Sequence, residues 1–297
     1  MALLSVLSGL RHQLAISLQA VHFNHRLRPE ALRDARFVEA WCGKLQVPLI
    51  VGSRVGAPLK HLSEEEARQI RFEFFIKTAR SLRAPAIALA HTRNDLAETV
   101  LMRMMRGSGL YGLKAIVPRR SIEGIDFVRP LLGEGRQDIE NYLKLKKISF
   151  RTDSTNRRTV YERNKIRHRL LPLLAREYNP QITDVLSDLA GVAGEDYEYL
   201  STLAQRLFDK QAVISRRKVR MPLKVLGRQH PSMTRLIFRQ MAEVLVKDPS
   251  ALSFGHIHAL EHLVSADGKG EVHLPHQLKA VRRAGFLEMA SISKTNL

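Results

Sequence analysis

The chain has 297 residues, 44% of them hydrophobic, enough for a sizeable core and two domains. No run approaches the ~18–20 apolar residues of a membrane span, and a single cysteine, Cys42, excludes an internal disulfide framework and any cysteine-only metal or iron–sulfur site. Forty-eight Lys+Arg against 29 Asp+Glu give a net charge of +19 and a pI near 10.5, which points to a polyanionic partner, nucleic acid first.

The N-terminus, "MALLSVLSGLRHQL", is apolar and then basic, the reverse of a signal peptide, so a cytoplasmic location is expected. "ISLQAVHFNH" (16–25) reads as a buried strand. "PEALRDARFVEAWCGKLQ" (29–46) reads as a helix, with Pro29 in the first turn and Ala35, Phe37, Val38 and Trp41 apolar. "VPLIVG" (47–52) is a short strand. Residues 63–82 form a helix in which Ser63 and Glu66 make a capping box. "APAIALAH" (84–91) is a third strand and 94–106 the next helix. Strands alternating with helices predict an α/β domain with a parallel sheet covered on both faces. Its site lies at the C-terminal ends of the strands.

His91, Thr92, Asn94 and Asp95 fall just past the third strand, where a ligand binds. On the helix from 94, helical spacing puts Asp95, Glu98, Met102 and Arg106 on one outward face. Ala97, Leu101, Met104 and Met105 are expected to pack on the sheet. "GSGLYG" (107–112) matches G-x-G-x-x-G, but it follows a helix instead of opening one, so it is read as a helix cap whose backbone amides approach an anion. There is no Walker A or G-x-S-x-G sequence. His258 and His262 are spaced as a metal pair but read as a histidine-rich helix face.

From 129, "RPLLGEGRQDIENYLKLKKI" reads as a linker and a helix. Between Arg151 and Arg176 eight Lys/Arg face only Asp153 and Glu162. In "RNKIRHRLLPLL" the apolar residues anchor the segment and leave the cations for phosphates. Residues 181–210 and 231–246 read as helices, 218–225 as a strand, and the remainder as short strands and turns. The expected domains are 1–190 and 191–297, the second a smaller, mainly helical α+β domain.

Several of these segments, in order, resemble the tRNA(Ile)-lysidine synthases, of the N-type pyrophosphatase-loop (PP-loop) ATPases. They are "VHFNHRLRPE", "EEEARQIRFEFF", "AHTRNDLAETVLMRMMRGSGLYGL" (an H-x-x-x-D-x-x-E-T…R-G-S-G-x-x-G-L block), "RPLLGEGRQDIENYL" and "DSTNRRTVYERNKIRHRLLPLL". The resemblance implies an adenine-nucleotide-binding parallel-sheet domain and an ATP-dependent ligase. ATP, with Mg²⁺, adenylates the C2 oxygen of the wobble cytidine in the isoleucine tRNA bearing a CAU anticodon. Free L-lysine then displaces AMP to form lysidine.

It also implies that 191–297 binds tRNA, and it implies roles for residues. Asp95 and Glu98 would contact Mg²⁺ or the lysine ammonium, with Asp95 the metal candidate and the division open. Arg106 with Gly107 and Gly109 would neutralise phosphate. His22, Asn24 and His25 would lie near the nucleotide. Arg157, Arg158, Arg163, Asn164, Arg167 and His168 would bind tRNA or pyrophosphate. A homodimer is compatible with the sequence, which does not fix the oligomeric state. The family's S-G-G-x-D-S loop has no match, and the expectation is that its strand and loop would precede Met1. The alternatives are a tRNA-binding remnant without ATPase activity and a sister PP-loop tRNA thiolase, against which a lone Cys42 argues.

Overall fold

The computed structural model describes residues 1–24, 31–54, 64–150, 162–247, 251–265 and 268–292. The chain divides into two compact units, Met1–Met102 with Ile116–Ser187, and Arg103–Ala115 with Asp188–Leu297.

The first unit alternates helix and strand: α1 (Ala2–Leu10), β1 (Ala20–Asn24), α2 (Ala31–Lys44), β2 (Leu49–Ser53), α3 (Glu64–Ser81), β3 (Ala86–Ala88) and α4 (Arg93–Met105). The helix α5 (Leu110–Leu113) belongs to the second unit. The first resumes with β4 (Arg119–Ile122), β5 (Ile125–Val128), α6 (Arg136–Leu145), α7 (Glu162–Lys165), a π-helical turn at Ile166–Leu170, α8 (Leu171–Glu177) and the start of α9 (Ile182–Gln211). Both α2 and α3 end on a non-glycine residue in the left-handed region, Gln46 and Arg83, each at φ 52°. The next amide then reaches back five residues, Val47 to the Cys42 carbonyl at 3.0 Å and Ala84 to that of Ala79 at 2.8 Å. This closes the helices and returns the chain to β2 and β3.

β1 and β2 are parallel, with Ala20 opposite Leu49 and Asn24 opposite Ser53; β3 and β5 are parallel, with Ala86 opposite Asp126. The α/β class expected from the alternation is what the structure shows. Two details differ. Among the described residues the hydrogen-bonded ladder is in two pieces, β1–β2 and β3–β5–β4. In addition, "RRSIEGIDFV" (119–128), which carried no predicted strand, is a hairpin. Its two-residue turn, Glu123 and Gly124 at φ 53° and 79°, forces β4 antiparallel to β5. Phe127 of β5 is fully buried, with its ring stacked on Phe72 of α3 at 5.2 Å. Ala2, Leu3, Leu131 and Leu143 form a separate cluster between α1 and α6.

The second unit is α+β, and its sheet is larger than the short strands read near the C-terminus implied. It has β6 (Val213–Ser215), β7 (Lys218–Pro222), α10 (Leu223–Leu226), α11 (Pro231–Val246), α12 (Phe254–Val264), β8 (Glu271–Leu274), β9 (Leu278–Arg283) and β10 (Phe286–Ser291). The strand order is β6-β7-β10-β9-β8, and every neighbouring pair is antiparallel. Phe208, Phe238, Met221, Leu260 and Leu287 fill its core. Ser253 and His256 cap α12 reciprocally, which leaves His258 and His262 on the exposed face. The segment Arg103–Ala115 is held to α9 by Tyr111, 5.4 Å from Tyr197, with the Lys114 ammonium 4.4 Å over the Tyr197 ring.

Phe127→Ala should destabilise the first unit by about 3–5 kcal/mol, because its cavity opens between α3 and β5. Val192→Ala, at an exposed position of α9, should stay within about 0.5 kcal/mol of the wild type. Urea unfolding of both variants measures the contrast.

Candidate active site

The site is built where β3 delivers the chain into α4. Thr92 precedes the helix, and its amide and hydroxyl both donate to Asp95 Oδ2 at 2.9 Å. This is an N-terminal capping arrangement, and it places a carboxylate in the first turn, where the helix dipole favours it. The turn is fixed from outside as well. The Arg93 amide donates to the Glu134 carbonyl at 2.9 Å, the Arg93 guanidinium pairs with Asp184 at 2.6 Å, and Asn94 Oδ1 accepts from the Arg136 amide at 2.8 Å.

One turn further, Glu98 is 1% exposed. Arg163 of α7 and Arg167 of the π-helical turn lie one turn apart and bracket it. Arg163 Nε donates to Glu98 Oε2 at 2.9 Å; Arg167 Nε and Nη2 donate to Oε1 and Oε2 at 2.6 and 2.8 Å. Both guanidinium groups also reach Asp95 Oδ1 at 3.1 Å. Two carboxylates and two arginines thus form one closed cluster, with Asn164 buried beside it in sequence. Such a cluster contributes little net stability against an apolar equivalent, but removing one partner strands a buried charge, at a cost of about 3–5 kcal/mol.

This corrects the expected helix face. Glu98 does not look outward with Asp95 and Arg106; it is buried because Arg163 and Arg167 supply its counter-charges. Met104 and Met105, expected against the sheet, are 49% and 55% exposed, while Ala97 and Leu101 are buried. Arg106, Gly107 and Gly109 follow the helix in the segment that belongs to the second unit. Gly107, at φ 71°, donates to the Met104 carbonyl at 2.9 Å and ends α4 in a conformation that favours glycine. On β1, Asn24 is buried, and burial lowers the pKa of His22 against the opposing charge of Asp34. His168 is exposed on the π-helical turn. His25, Arg157 and Arg158 lie outside the described residues.

Three further groups belong to the site. His91, just past β3, has a buried Nδ1 with no hydrogen-bond partner among the described residues. Burial, with Arg129, Arg68 and Arg163 adding and Asp95 opposing, pulls its pKa down to about 4. Arg68 of α3 lies 4.6 Å over the Phe72 ring, and its pKa is lowered first by burial, with Arg71, Arg163 and Arg120 adding and Glu65 opposing. Arg129, just past β5, donates Nη1 to the Val117 and Phe127 carbonyls at 2.8 and 3.3 Å, while its buried Nε has no partner among the described residues. Burial, Arg68 and Arg120 lower its pKa. Arginines that depress one another beside an orphaned N–H fit an anionic ligand. A metal fits less well. Both oxygens of Asp95 accept bonds already, and among the described residues no group of three or more His, Cys, Asp or Glu could hold a metal ion.

Residues 1–174 match the PP-loop domain. The chain belongs to the PP-loop family. It is 32% identical over 287 residues to the tRNA(Ile)-lysidine synthase of Caldanaerobacter subterraneus subsp. tengcongensis, covering 95% of this chain and 61% of that one. To the tRNA(Ile)-lysidine synthase of Geobacter sulfurreducens it is 35% identical over 288 residues, covering 95% and 60%. To that of Thermotoga maritima it is 40% identical over 198 residues, covering 65% and 46%. The chain therefore spans about three fifths of the length of the first two relatives. A solved U34-tRNA thiolase from Methanococcus maripaludis with its 4Fe-4S cluster shares the fold at a TM-score of 0.52 and 12% identity, covering 64% of this chain and 67% of that one. Among the described residues no helix of this PP-loop protein is long and apolar enough to cross a membrane.

The depressed pKa of His91 sets a pH dependence. Its ordinary value is 6.5 and its folded value about 4, so the fold favours the neutral ring. That stabilisation is complete above pH 6.5 and is lost as the pH falls toward 4. Over this window the first unit should lose stability at up to about 1.4 kcal/mol per pH unit more steeply than a His91→Gln variant. Chemical denaturation across the pH series checks the slope.

Proposed function

We propose that these residues form the catalytic portion of an ATP-dependent ligase that joins lysine to C2 of the wobble cytidine in the CAU-anticodon isoleucine tRNA. The observation that carries the reading is the pairing of Asp95 and Glu98 with Arg163 and Arg167, with buried Arg129 and half-buried Arg68 also in the site, in a PP-loop chain similar to tRNA(Ile)-lysidine synthases. The PP-loop domain supports ATP use. A single cysteine, Cys42, buried in α2, offers no partner for sulfur transfer.

In this reaction the C2 oxygen of cytosine attacks the α-phosphorus of ATP and pyrophosphate leaves. The lysine amine then attacks C2, loses a proton, and AMP departs with the oxygen. Arg68 and Arg129 would take the polyphosphate, where their partly desolvated charges act at low dielectric. His91 stays neutral at neutral pH and offers a hydrogen bond without adding charge. The carboxylates and arginines of the closed cluster would exchange partners: Arg163 and Arg167 move toward phosphate, and Asp95 and Glu98 receive the lysine ammonium. Mg²⁺ bound with ATP would neutralise phosphate charge; the described residues build no cage for it. Exposed Lys165, His168 and Arg169, with Arg157 and Arg158, would meet the tRNA backbone.

The test uses the complete gene product that contains these residues, with ATP, lysine and the tRNA transcript. Asp95→Asn and Glu98→Gln should each lower lysine incorporation at least about a hundredfold while tRNA binding stays within about twofold. Wild-type incorporation in both variants would overturn the reading. A separate prediction concerns the cations. Lys165→Ala and Arg169→Ala should each flatten the salt dependence of tRNA affinity by about one unit of slope. Measured by filter binding across a salt series, an unchanged slope would remove this face from the tRNA interface.

A further inference from the structure

Two turns that leave neighbouring strands are fastened to each other. The first carries the chain from β3 into α4, the second from β5 into α6. β3 and β5 are parallel neighbours, so both turns leave the same end of the ladder. The Arg93 amide donates to the Glu134 carbonyl at 2.9 Å, and the Arg136 amide donates to Asn94 Oδ1 at 2.8 Å. The Arg93 guanidinium adds a further link. It donates through Nη2 to the Gly133 carbonyl, and through Nη1 to Asp184 Oδ1 in the first turn of α9 at 2.6 Å. Asn94, expected from the sequence to lie where a ligand binds, instead gives its side-chain oxygen to the neighbouring turn.

What these bonds fix is the spacing between two kinds of charge. Asp95 belongs to the first turn, and Thr92 orients its carboxylate. Arg129 belongs to the second, and the Val117 and Phe127 carbonyls orient its guanidinium. Neither group needs Arg93 or Asn94 for its own orientation. Their separation does depend on them, because Arg93 and Asn94 join the two main-chain segments. Between Arg129 and Glu134 the second segment is bonded to itself, Leu132 to the Arg129 carbonyl at 3.1 Å and Glu134 to that of Leu131 at 3.0 Å. A displacement at Glu134 is therefore passed to Arg129. On the ligase reading, on which this inference rests, Asp95 receives the lysine amine and Arg129 the polyphosphate. Their spacing is then that of two reactants, and a misplacement of ~1 Å can cost about a hundredfold in rate. The bonds to Asn94 and Gly133 are exposed, so water can satisfy the groups left when either is cut.

We infer that Arg93 and Asn94 are positioning residues that set the registry between the amine-holding and the phosphate-holding halves of the site. The test uses the complete gene product with ATP, lysine and the tRNA transcript. Asn94→Ala and Arg93→Met should each lower kcat for lysine incorporation at least about tenfold, while the KM values for lysine and ATP stay within about twofold. Asn94→Asp should bring kcat back to within about threefold of the wild type, because a carboxylate oxygen accepts the same bond from the Arg136 amide. The urea midpoint of Asn94→Ala should match the wild type; a midpoint that falls together with kcat would make the role structural and overturn the inference. So would a change confined to KM, or an Asn94→Asp variant as slow as Asn94→Ala. If Asn94→Ala and Arg93→Met keep the wild-type kcat while Asp95→Asn loses it, the inference falls and the ligase reading stands. If Asp95→Asn and Glu98→Gln keep wild-type incorporation as well, the ligase reading falls with it.

Discussion

A carboxylate taken out of water costs several kcal/mol unless cations and hydrogen bonds replace its hydration. Glu98 is in that position, and Arg163 and Arg167 replace the lost water with three bonds of 2.6 to 2.9 Å. The partners lie 65 and 69 residues away in sequence, so the burial of Glu98 depends on the 162–170 segment and not on α4 alone. The dependence runs both ways. Arg163 and Arg167 are brought onto one face by their spacing, and Arg167 lies in the π-helical turn that begins at Ile166, the kind of local irregularity that recurs at functional sites. The cluster therefore ties a loop beyond one strand to a basic segment far along the chain, and it holds both in a geometry that an arriving anion and cation would compete for.

The parallel strands explain why the remaining groups gather there. β3 and β5 run in the same direction as neighbours, so the residues just past their C-terminal ends are delivered together. From β3 come His91, Thr92 and Asp95; from β5 comes Arg129. The hydrophobic contact between Phe72 and Phe127 fixes α3 against β5, and Arg68 lies one turn before Phe72, over its ring. The apolar packing of this layer thus sets where three of the polar groups stand.

The sequence made the alternation of elements, the strand-to-helix position of Asp95 and Glu98, and the basic 151–176 run legible, because periodicity and local charge are properties of short windows. The hairpin at 119–128 was not legible: "EG" is a weaker turn signal than Asn-Gly, and four-residue strands carry little pattern. The burial of Glu98 was not legible either, because helical spacing reports which residues share a face and says nothing about what covers that face. Thr92-x-x-Asp95 did carry a local signal, a capping pair, that tied Asp95 to the start of α4. Arg68 and Arg129 sat inside quoted motifs, yet only the three-dimensional convergence of their charges on His91 marks them as part of the site.

Charge is segregated along the chain. Residues 163–176 concentrate Lys and Arg, and α9, which begins only six residues later, concentrates Asp and Glu. A polyanion is attracted by the first and repelled by the second, so a nucleic acid bound to this chain would be favoured along 163–176 and disfavoured along the acidic residues of α9.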